Sequence, residues 1–352
     1  MQDINNNNIQ ALEAYIDEAR KISIVTHQKP DGDAMGSCIA LYHFLRMYDK
    51  KSVRIILNDR FPGYLDFLTS DIPGDSILFF QEMQDTAETL VRDSDLIFCL
   101  DFNAFHRTDT LEPLLLESAQ PKILIDHHLS PDSKQFSLVF SETEVSSASE
   151  LLFHILMHTS QISHKASRIP AAAAVGLMTG MTTDTNNFAN SVYPSTLRMA
   201  SALLEAGIDR DMILQQLYNR FSESRLRLMG HMMKDLLKIT DDGVAYIVLD
   251  KETQRNYHVK EGDTEGFVNM PLSIDKVVMS ILLKEDNDRI RVSIRSKRGY
   301  SANACAKEYF NGGGHENASG GRLYIGKDVA DIEAAHGYIE RHTHTFMKRY
   351  NG

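Results

Sequence analysis

The run His27-Gln28-Lys29-Pro30-Asp31-Gly32-Asp33-Ala34-Met35-Gly36-Ser37 puts an imidazole and two carboxylates into one short turn. Pro30 and Gly32 enforce that turn and aim His27, Asp31 and Asp33 toward one point. Imidazole with carboxylate suits a borderline divalent ion such as manganese, and the cluster holds no thiolate. The same letters also read as an ordinary turn in which Asp caps a helix. Three further places tip the balance. Asp101 ends the apolar run DLIFCLD, Asp126-His127-His128 ends KILID, and Asp184 stands in GMTTDTNNF after the small-residue stretch AAAAVGLMTG. A carboxylate at the end of a buried strand is costly unless it is paired or bound to metal. If those strands are parallel neighbours, their carboxyl ends share one edge and the carboxylates converge and repel. Together His27, Asp31, Asp33, Asp101, His127 and Asp184 offer enough ligands for two divalent ions sharing one carboxylate. Two ions about 3.5–4 Å apart form a clamp for phosphoester hydrolysis. Adjacent His127 and His128 need not share a role: one can ligate metal while the other hydrogen-bonds a phosphate oxygen or the leaving group.

These residues need a scaffold, and the sequence outlines one. Ile22 to Thr26, Val53 to Leu57, Asp95 to Asp101 and Lys122 to Asp126 read as strands, with a helix over Ala34 to Tyr48 between the first two. Apolar runs bounded by polar turns, alternating with helical patterns, predict a mainly parallel sheet flanked by helices. Helical patterns dominate Ser147 to Lys238, where Leu226, Met229, Met233, Leu236 and Leu237 mark one face and the methionines serve as core filler. Beyond Lys238, strands are expected at Val244 to Leu249, Lys276 to Lys284 and Ile290 to Ser296. Helices are expected near Ser301 to Phe310 and over Asp328 to Arg349. Asn5 to Asn8 reads as a frayed terminus or a helix start. The 352 residues divide into an α/β catalytic domain over 1–190, a helical linker over 191–222 and a smaller α/β domain over 223–352.

Composition narrows the partners. With 37 basic and 48 acidic residues the net charge is −11, which disfavours grip on a long duplex. An acidic protein still binds a small phosphorylated ligand where metal ions reverse the charge locally. Three cysteines, far apart, suit a reducing cytoplasm rather than a disulfide scaffold. No apolar run is long enough to span a membrane, and the start MQDINNNNIQ lacks the pattern of a secretory signal.

In the second half, Arg291, Arg295, Lys297 and Arg298 form a basic island. On a strand, Arg291, Ser293 and Arg295 share one face, and Arg engages phosphate through two hydrogen bonds. The alternative is a solvated edge strand whose charges block sheet-to-sheet association. Gly312-Gly313-Gly314-His315 follows a helix. Its glycines admit close approach of backbone N–H groups to a phosphate or base, or else they simply stop the helix beside a surface His. Arg107 is within reach of a phosphate or is an ordinary surface Arg. His154 and His158 share a helix face and are read as surface residues lacking an acidic neighbour. His336, His342 and His344 are assigned no site.

HQKPDGDAMGS, the Asp of FCLDFN, IDHH and the Asp of GMTTDT, in this order, resemble the four motifs of the DHH phosphoesterase family. VSIRSKRGYSANACAKEYFNGGGHENASGG resembles the DHHA1 substrate-binding domain. The resemblance implies that His27 and Asp31 hold one metal, that Asp33, His127 and Asp184 hold the other, and that Asp101 bridges both. It implies that Asp126 orients an imidazole, that His128 contacts the scissile phosphate or assists proton transfer, and that Arg295, Ser296, Gly313, Gly314 and His315 bind substrate. Motif layout is most similar to the stand-alone oligoribonuclease (nano-RNase) and pAp-phosphatase subfamily. That implies hydrolysis of short single-stranded RNA to mononucleotides, or of 3′-phosphoadenosine 5′-phosphate (pAp) to AMP, with two Mn2+ ions or else Mg2+. The rivals are an exopolyphosphatase, a cyclic-di-AMP or pApA phosphodiesterase, and a non-enzymatic nucleotide sensor. A homodimer is left open.

Overall fold

Alternation of buried apolar runs with helices produces a doubly wound sheet in the first half of the chain. The computed structural model describes residues 5–48, 52–219, 222–260, 262–287 and 289–350, and the chain divides into one unit over 1–220 and another over 221–352. In the first unit the strands are β1 (Lys21–Thr26), β2 (Ser52–Leu57), β3 (Ile77–Phe79), β4 (Leu96–Leu100), β5 (Lys122–Asp126) and β6 (Leu138–Ser141). They pair in the order β3-β2-β1-β4-β5-β6, every pairing parallel. The chain winds outward from β1 to β3, then returns to lay β4 against the other side of β1. This reversal opens a crevice at the carboxyl ends of β1 and β4, the usual ligand position in such sheets.

Both faces of the sheet are covered. On one lie α1 (Asn6–Glu18), α2 (Gly32–Leu45), α5 (Ala148–His158) and α6 (Ala171–Asp184), which share a core with Ile24, Phe98 and Ile125. On the other, α3 (Gln84–Arg92) and α4 (Glu112–Glu117) pack Ala87, Val91, Leu114 and Leu115 against Val25, Ile97 and Leu124. The Asn-rich start is a helix start: the Asn5 side chain accepts from the Asn7 N–H. Helices α7 (Pro194–Glu205) and α8 (Arg210–Tyr218) occupy the stretch expected to link the domains. They bury Met199, Leu203, Ile213 and Leu217 in the first unit's core.

The second unit holds β7 (Lys238–Ile239), β8 (Val244–Leu249), β9 (Met279–Glu285), β10 (Arg289–Ser296), β11 (Gly313–Gly314) and β12 (Ala318–Tyr324), in the order β11-β12-β10-β9-β8-β7. Only the β8–β9 pairing is parallel among these described strands. Helices α11 (Ala302–Tyr309) and α12 (Ala334–Met347) cover one face. The β8–β9 part of the other face is covered by α9 (Glu223–His231), a π-helical turn over Met232–Leu236 and a 3-10 stretch over Phe267–Ser273. Helix α10 (Lys251–Asn256) follows β8.

Three expectations shift here. The α-helix stops at His231 and continues as the π-helical turn; Leu228 and Met232 are buried, Met229, Met233, Leu236 and Leu237 pack against them as expected, and Leu226 alone of the expected face is exposed. The last helix starts at Ala334 rather than Asp328. The Asp328 carboxylate instead accepts from Tyr324 N–H and Asn311 Nδ2, and Asp331 accepts from Ala334 N–H. Strand β10 lies between β9 and β12, so its arginines do not guard a sheet edge.

The contact that positions the site is between α2 and α6. A Cβ built on Gly36 would meet the Gly176 carbonyl and lie 2.9 Å from Gly180 N; one on Gly176 would lie 2.6 Å from Gly36 O. Backbone touches backbone, so Asp33 on α2 and Asp184 at the end of α6 reach one centre. Gly36→Ala should therefore cost about 1–3 kcal/mol by overpacking and weaken metal binding by separating the two carboxylates. Gly74→Ala, where a Cβ has nothing within 4 Å, should stay within about 0.5 kcal/mol. Denaturant melts and manganese titrations of both variants check this, and equal stability of the pair would overturn it.

Candidate metal centre

Each of the six expected ligands sits where the chain leaves a buried element. His27 follows β1, Asp31 and Asp33 open α2, Asp101 follows β4, His127 follows β5, and Asp184 ends α6. The structure gathers them into two groups, His27, Asp31 and Asp101 in one and Asp33, His127 and Asp184 in another, and a third group of Asp101, His127 and His128 overlaps both. Asp101 joins the two. Its Oδ2 lies 3.5 Å from His27 Nε2 and its Oδ1 3.5 Å from His127 Nε2. His127 Nε2 is also 3.3 Å from Asp184 Oδ2 and 3.9 Å from Asp33 Oδ2, while His27 Nε2 is 3.9 Å from Asp31 Oδ1. These gaps exceed a good N–H···O hydrogen bond. The three gaps of 3.3–3.5 Å match the roughly 3.0–3.6 Å between neighbouring ligand atoms expected around an ion with bonds of about 2.0–2.2 Å, and the two of 3.9 Å are slightly wider. Asp101 Oδ1 is buried and makes no hydrogen bond. An orphaned carboxylate oxygen amid imidazole and carboxylate donors fits a pair of divalent cations.

Local backbone features hold each ligand in place. The His27 Nδ1–H donates to the Gln28 carbonyl at 2.7 Å, which leaves Nε2 to face the carboxylates. Asp31 does cap α2: its Oδ1 accepts from the Asp33 and Ala34 N–H groups. Capping and metal-facing geometry thus coexist in one side chain. Asp101 adopts a left-handed backbone, φ 62°, which costs a non-glycine residue roughly 1–3 kcal/mol and is typical of functional sites. Buried Asp33 accepts from the Ala148 N–H at 2.6 Å and the Ser149 N–H at 2.9 Å, at the positive N-terminus of α5.

That helix end is a part of the site the expectations missed. Ser147 caps it, accepting from Glu150 N–H. The fully buried Glu150 accepts from Ser146 N–H and Oγ and from Thr196 Oγ1 at 2.6 Å, tying α5 to α7. Burial works against the Glu150 carboxylate, but the nearby His154 ring and the hydrogen bonds from Ser146 and Thr196 hold it down at about 2. Ser147-Ala148-Ser149-Glu150 reads S-x-x-E, a helix-start signature available in the sequence. His154 is therefore not without an acidic neighbour, since its Nε2 lies 3.5 Å from Glu150 Oε1 one turn back.

Charge is strongly frustrated at the centre. Burial opposes protonation of His27 and His127, yet the facing Asp101 and neighbouring carboxylates prevail and push them up to about 9 and about 10. Burial and the Asp101 charge push Asp33 up to about 7. Desolvation and Asp33 drive Asp184 well above its ordinary value. Burial would also raise Asp101, but the imidazoles of His127 and His27 hold it far below the usual carboxylate range. Without cations the cluster retains protons to limit its repulsion.

His128 stands beside this centre in a different arrangement. Its Nδ1–H donates to Asp126 Oδ1 at 2.7 Å, and Nδ1 lies 3.7 Å from Asp101 Oδ1. Asp126 is wholly buried, so the ring is anchored in one tautomer. Arg107 contributes its carbonyl, which accepts from Gln28 N–H at 2.8 Å and braces the loop after His27.

In the second unit, register arranges the expected substrate residues in rows across one face. Arg295 pairs with Ala318, which exchanges backbone hydrogen bonds with His315, so Arg295, Ala318 and His315 share a row. Ser293, Gly320 and Gly313 form the next. Ser296 is not brought to this face: it lies on the buried side of β10, donating to the Tyr300 carbonyl and accepting from Asn317. The Gly314 N–H donates to Asn303 Oδ1 at 3.2 Å, and a Cβ on Gly312 would collide with Gly320 and Gly321. Part of the glycine run therefore serves strand packing. Of the remaining histidines, His344 pairs with Asp242, His336 approaches Lys238, and His342 packs on Tyr338.

Comparison with known proteins agrees with this architecture. Residues 21–181 match the N-terminal domain of the DHH family and residues 241–336 the DHHA1 domain. The crystal structure of an exopolyphosphatase-related protein from Bacteroides fragilis is similar with a TM-score of 0.91 and 38% identity over 100% of both chains. The probable bifunctional oligoribonuclease and PAP phosphatase NrnA of Streptococcus mutans is 28% identical over 88% of this chain and 92% of its own. The Bacillus subtilis bifunctional oligoribonuclease and PAP phosphatase NrnA is 26% identical over 87% and 92% respectively. With both domains matched in order and a 38% identical relative aligned end to end, the chain belongs to the DHH family of phosphoesterases, a DHH domain followed by a DHHA1 domain.

Proposed function

We propose that this phosphoesterase hydrolyses short oligoribonucleotides to mononucleotides and removes a phosphate from pAp, using two divalent cations, Mn2+ first and Mg2+ second. The observation that carries the reading is Asp101, whose two oxygens face separate imidazoles and separate ligand sets. The names of the NrnA relatives supply the substrate class. His27 and Asp31 would hold one cation, Asp33, His127 and Asp184 the other, and Asp101 both. Bound there, the pair would supply positive charge that makes water nucleophilic and offsets the charge growing on phosphorus. Asp126 keeps His128 in the tautomer that leaves proton exchange to Nε2, so His128 delivers a proton to the departing ribose oxygen. Burial of Asp33 and Asp101 keeps the centre poor in bulk water, which strengthens every charge interaction within it. The Arg295–Ala318–His315 row cradles a substrate phosphate away from the bond that breaks. The buried, unpaired thiols of Cys38, Cys99 and Cys305 suit a cytoplasmic enzyme.

The deciding assay sets pAp, a diribonucleotide, cyclic-di-AMP and inorganic polyphosphate side by side with manganese and ranks kcat/KM. The diribonucleotide and pAp should lead. Polyphosphate in first place would replace this reading with an exopolyphosphatase, and binding without turnover would make the chain a sensor.

Asp101→Asn should lower kcat at least about 10³-fold and reduce bound manganese from two ions to one or none, while the melting temperature holds or rises as repulsion is relieved. Retained turnover would remove Asp101 from the bridge. Metal loading should also release protons. Imidazolium cannot ligate, and His27 and His127 stay charged below about 9 and about 10 in the metal-free protein. Affinity for manganese should therefore fall as pH drops, by about tenfold per unit for each proton displaced. Calorimetry at pH 7.5 in two buffers of different ionisation enthalpy should report more than one proton released per protein; a buffer-independent heat would refute it.

A further inference from the structure

Beyond the Arg295–Ala318–His315 row, the same face of the second sheet carries a second cationic row. In register, Arg291 on β10 stands directly opposite Lys284 on β9 and directly opposite Arg322 on β12. Directly opposed residues point to one side of a sheet, and like charges so placed destabilise the pairing. Strand β10 is internal, so these charges do not act as a guard against edge association. Asp286 offsets part of the charge, its Oδ2 lying 3.5 Å from Arg291 Nε and 4.0 Å from Arg289 Nε. Three cationic side chains meeting in one register row is a local concentration of positive charge in a protein whose net charge is −11. Between the two cationic rows, Ser293, Gly320 and Gly313 raise no bulky side chain on β10, β12 and β11, while Leu282 on β9 is buried beneath the helical cover of that part of the face. Gly320 and Arg322 are exposed and Arg291 is half-buried.

We infer that Lys284, Arg291 and Arg322 form a second phosphate subsite that takes a further backbone phosphate of an oligoribonucleotide whose first phosphate lies at Arg295 and His315. Four residues of strand separate Arg291 from Arg295, or ~13 Å at about 3.3 Å per residue. A single phosphate cannot span that, so occupancy of both rows requires a chain carrying several phosphates. The small residues between the rows on β10 and β12 let such a chain lie along those two strands. Arg291 and Arg322 offer planar forks suited to phosphate oxygens, and Lys284 adds a point charge. The row thus sets a preference for longer substrates over pAp. This inference rests on the oligoribonuclease reading above.

The test uses the full chain and compares wild type with Arg322→Gln and Lys284→Gln, with Arg322→Lys retaining charge but not the fork. Each is assayed with manganese on pAp and on a 5′-phosphorylated pentaribonucleotide. The ratio of kcat/KM for the pentanucleotide to that for pAp should fall about tenfold in the Gln variants, through KM. The slope of log KM against log salt for the pentanucleotide should shrink by about 0.7. An unchanged ratio, or equal loss on both substrates, overturns the subsite. Loss confined to inorganic polyphosphate also overturns it in favour of a polyphosphate chain. If wild type hydrolyses neither nucleotide, the proposed function falls, and the subsite is judged by fluorescence anisotropy of a labelled pentaribonucleotide. Salt-sensitive binding weakened in Arg322→Gln sustains it, and equal binding by wild type and variant rejects it.

Discussion

Repulsion among carboxylates at a single buried sheet edge is the constraint on which the first unit is built. Asp33 and Asp101 are nearly inaccessible to water, and both His27 and His127 lie within 3.5 Å of Asp101. Water cannot screen charges so placed, and the protein offsets them with fixed groups instead. Two imidazoles lean on Asp101, and the N-terminus of α5 donates two backbone N–H groups to Asp33. These devices reduce the repulsion without removing it, as the raised positions of Asp33 and Asp184 record. The remaining negative charge suits the centre to hold metal ions.

Holding such a cluster together requires elements that cannot drift. The parallel sheet brings the ends of β1, β4 and β5 side by side, fixing His27, Asp101 and His127 through backbone hydrogen bonds. Helices are looser, and the two that carry Asp33 and Asp184 are locked by glycine contacts too close for a methyl group. Glu150 adds a buried polar tie from α5 to α7. That tie explains why α7 belongs to the catalytic unit: it helps set the helix end that grips Asp33.

What the sequence disclosed followed from chemistry that is local or periodic. Runs such as KILID and DLIFCLD announce buried strands, and an Asp at the end of each is anomalous enough to mark a site. Elements with weaker patterns were hidden. Strand β12, ASGGRLY, carries two glycines and little alternation, and it exists because β10 offers a partner along its length. Strands β3 and β6 are short edges. Ser296 reads as one more polar residue beside Arg295, but period-two alternation turns it to the buried side, where it holds a turn. Nothing in sequence spacing shows that Arg291 faces Lys284 and Arg322, because cross-strand register depends on contacts between residues far apart in the chain.

The two units handle charge in opposite ways, and the contrast bears on specificity. In the first, excess negative charge is concentrated where cations are needed and where chemistry on any phosphoester could proceed. In the second, cationic residues stand in rows across a sheet face whose β8–β9 part is covered and whose β10–β12 part carries small residues between them. A metal centre alone does not distinguish pAp from polyphosphate or RNA, because it sees only the phosphorus that reacts. Discrimination therefore falls to groups that contact phosphates remote from that atom, and such contacts count only when the substrate is long enough to reach them. Under the inferred subsite, the spacing of rows on the second sheet would count phosphates, a role separate from that of the bond-breaking groups.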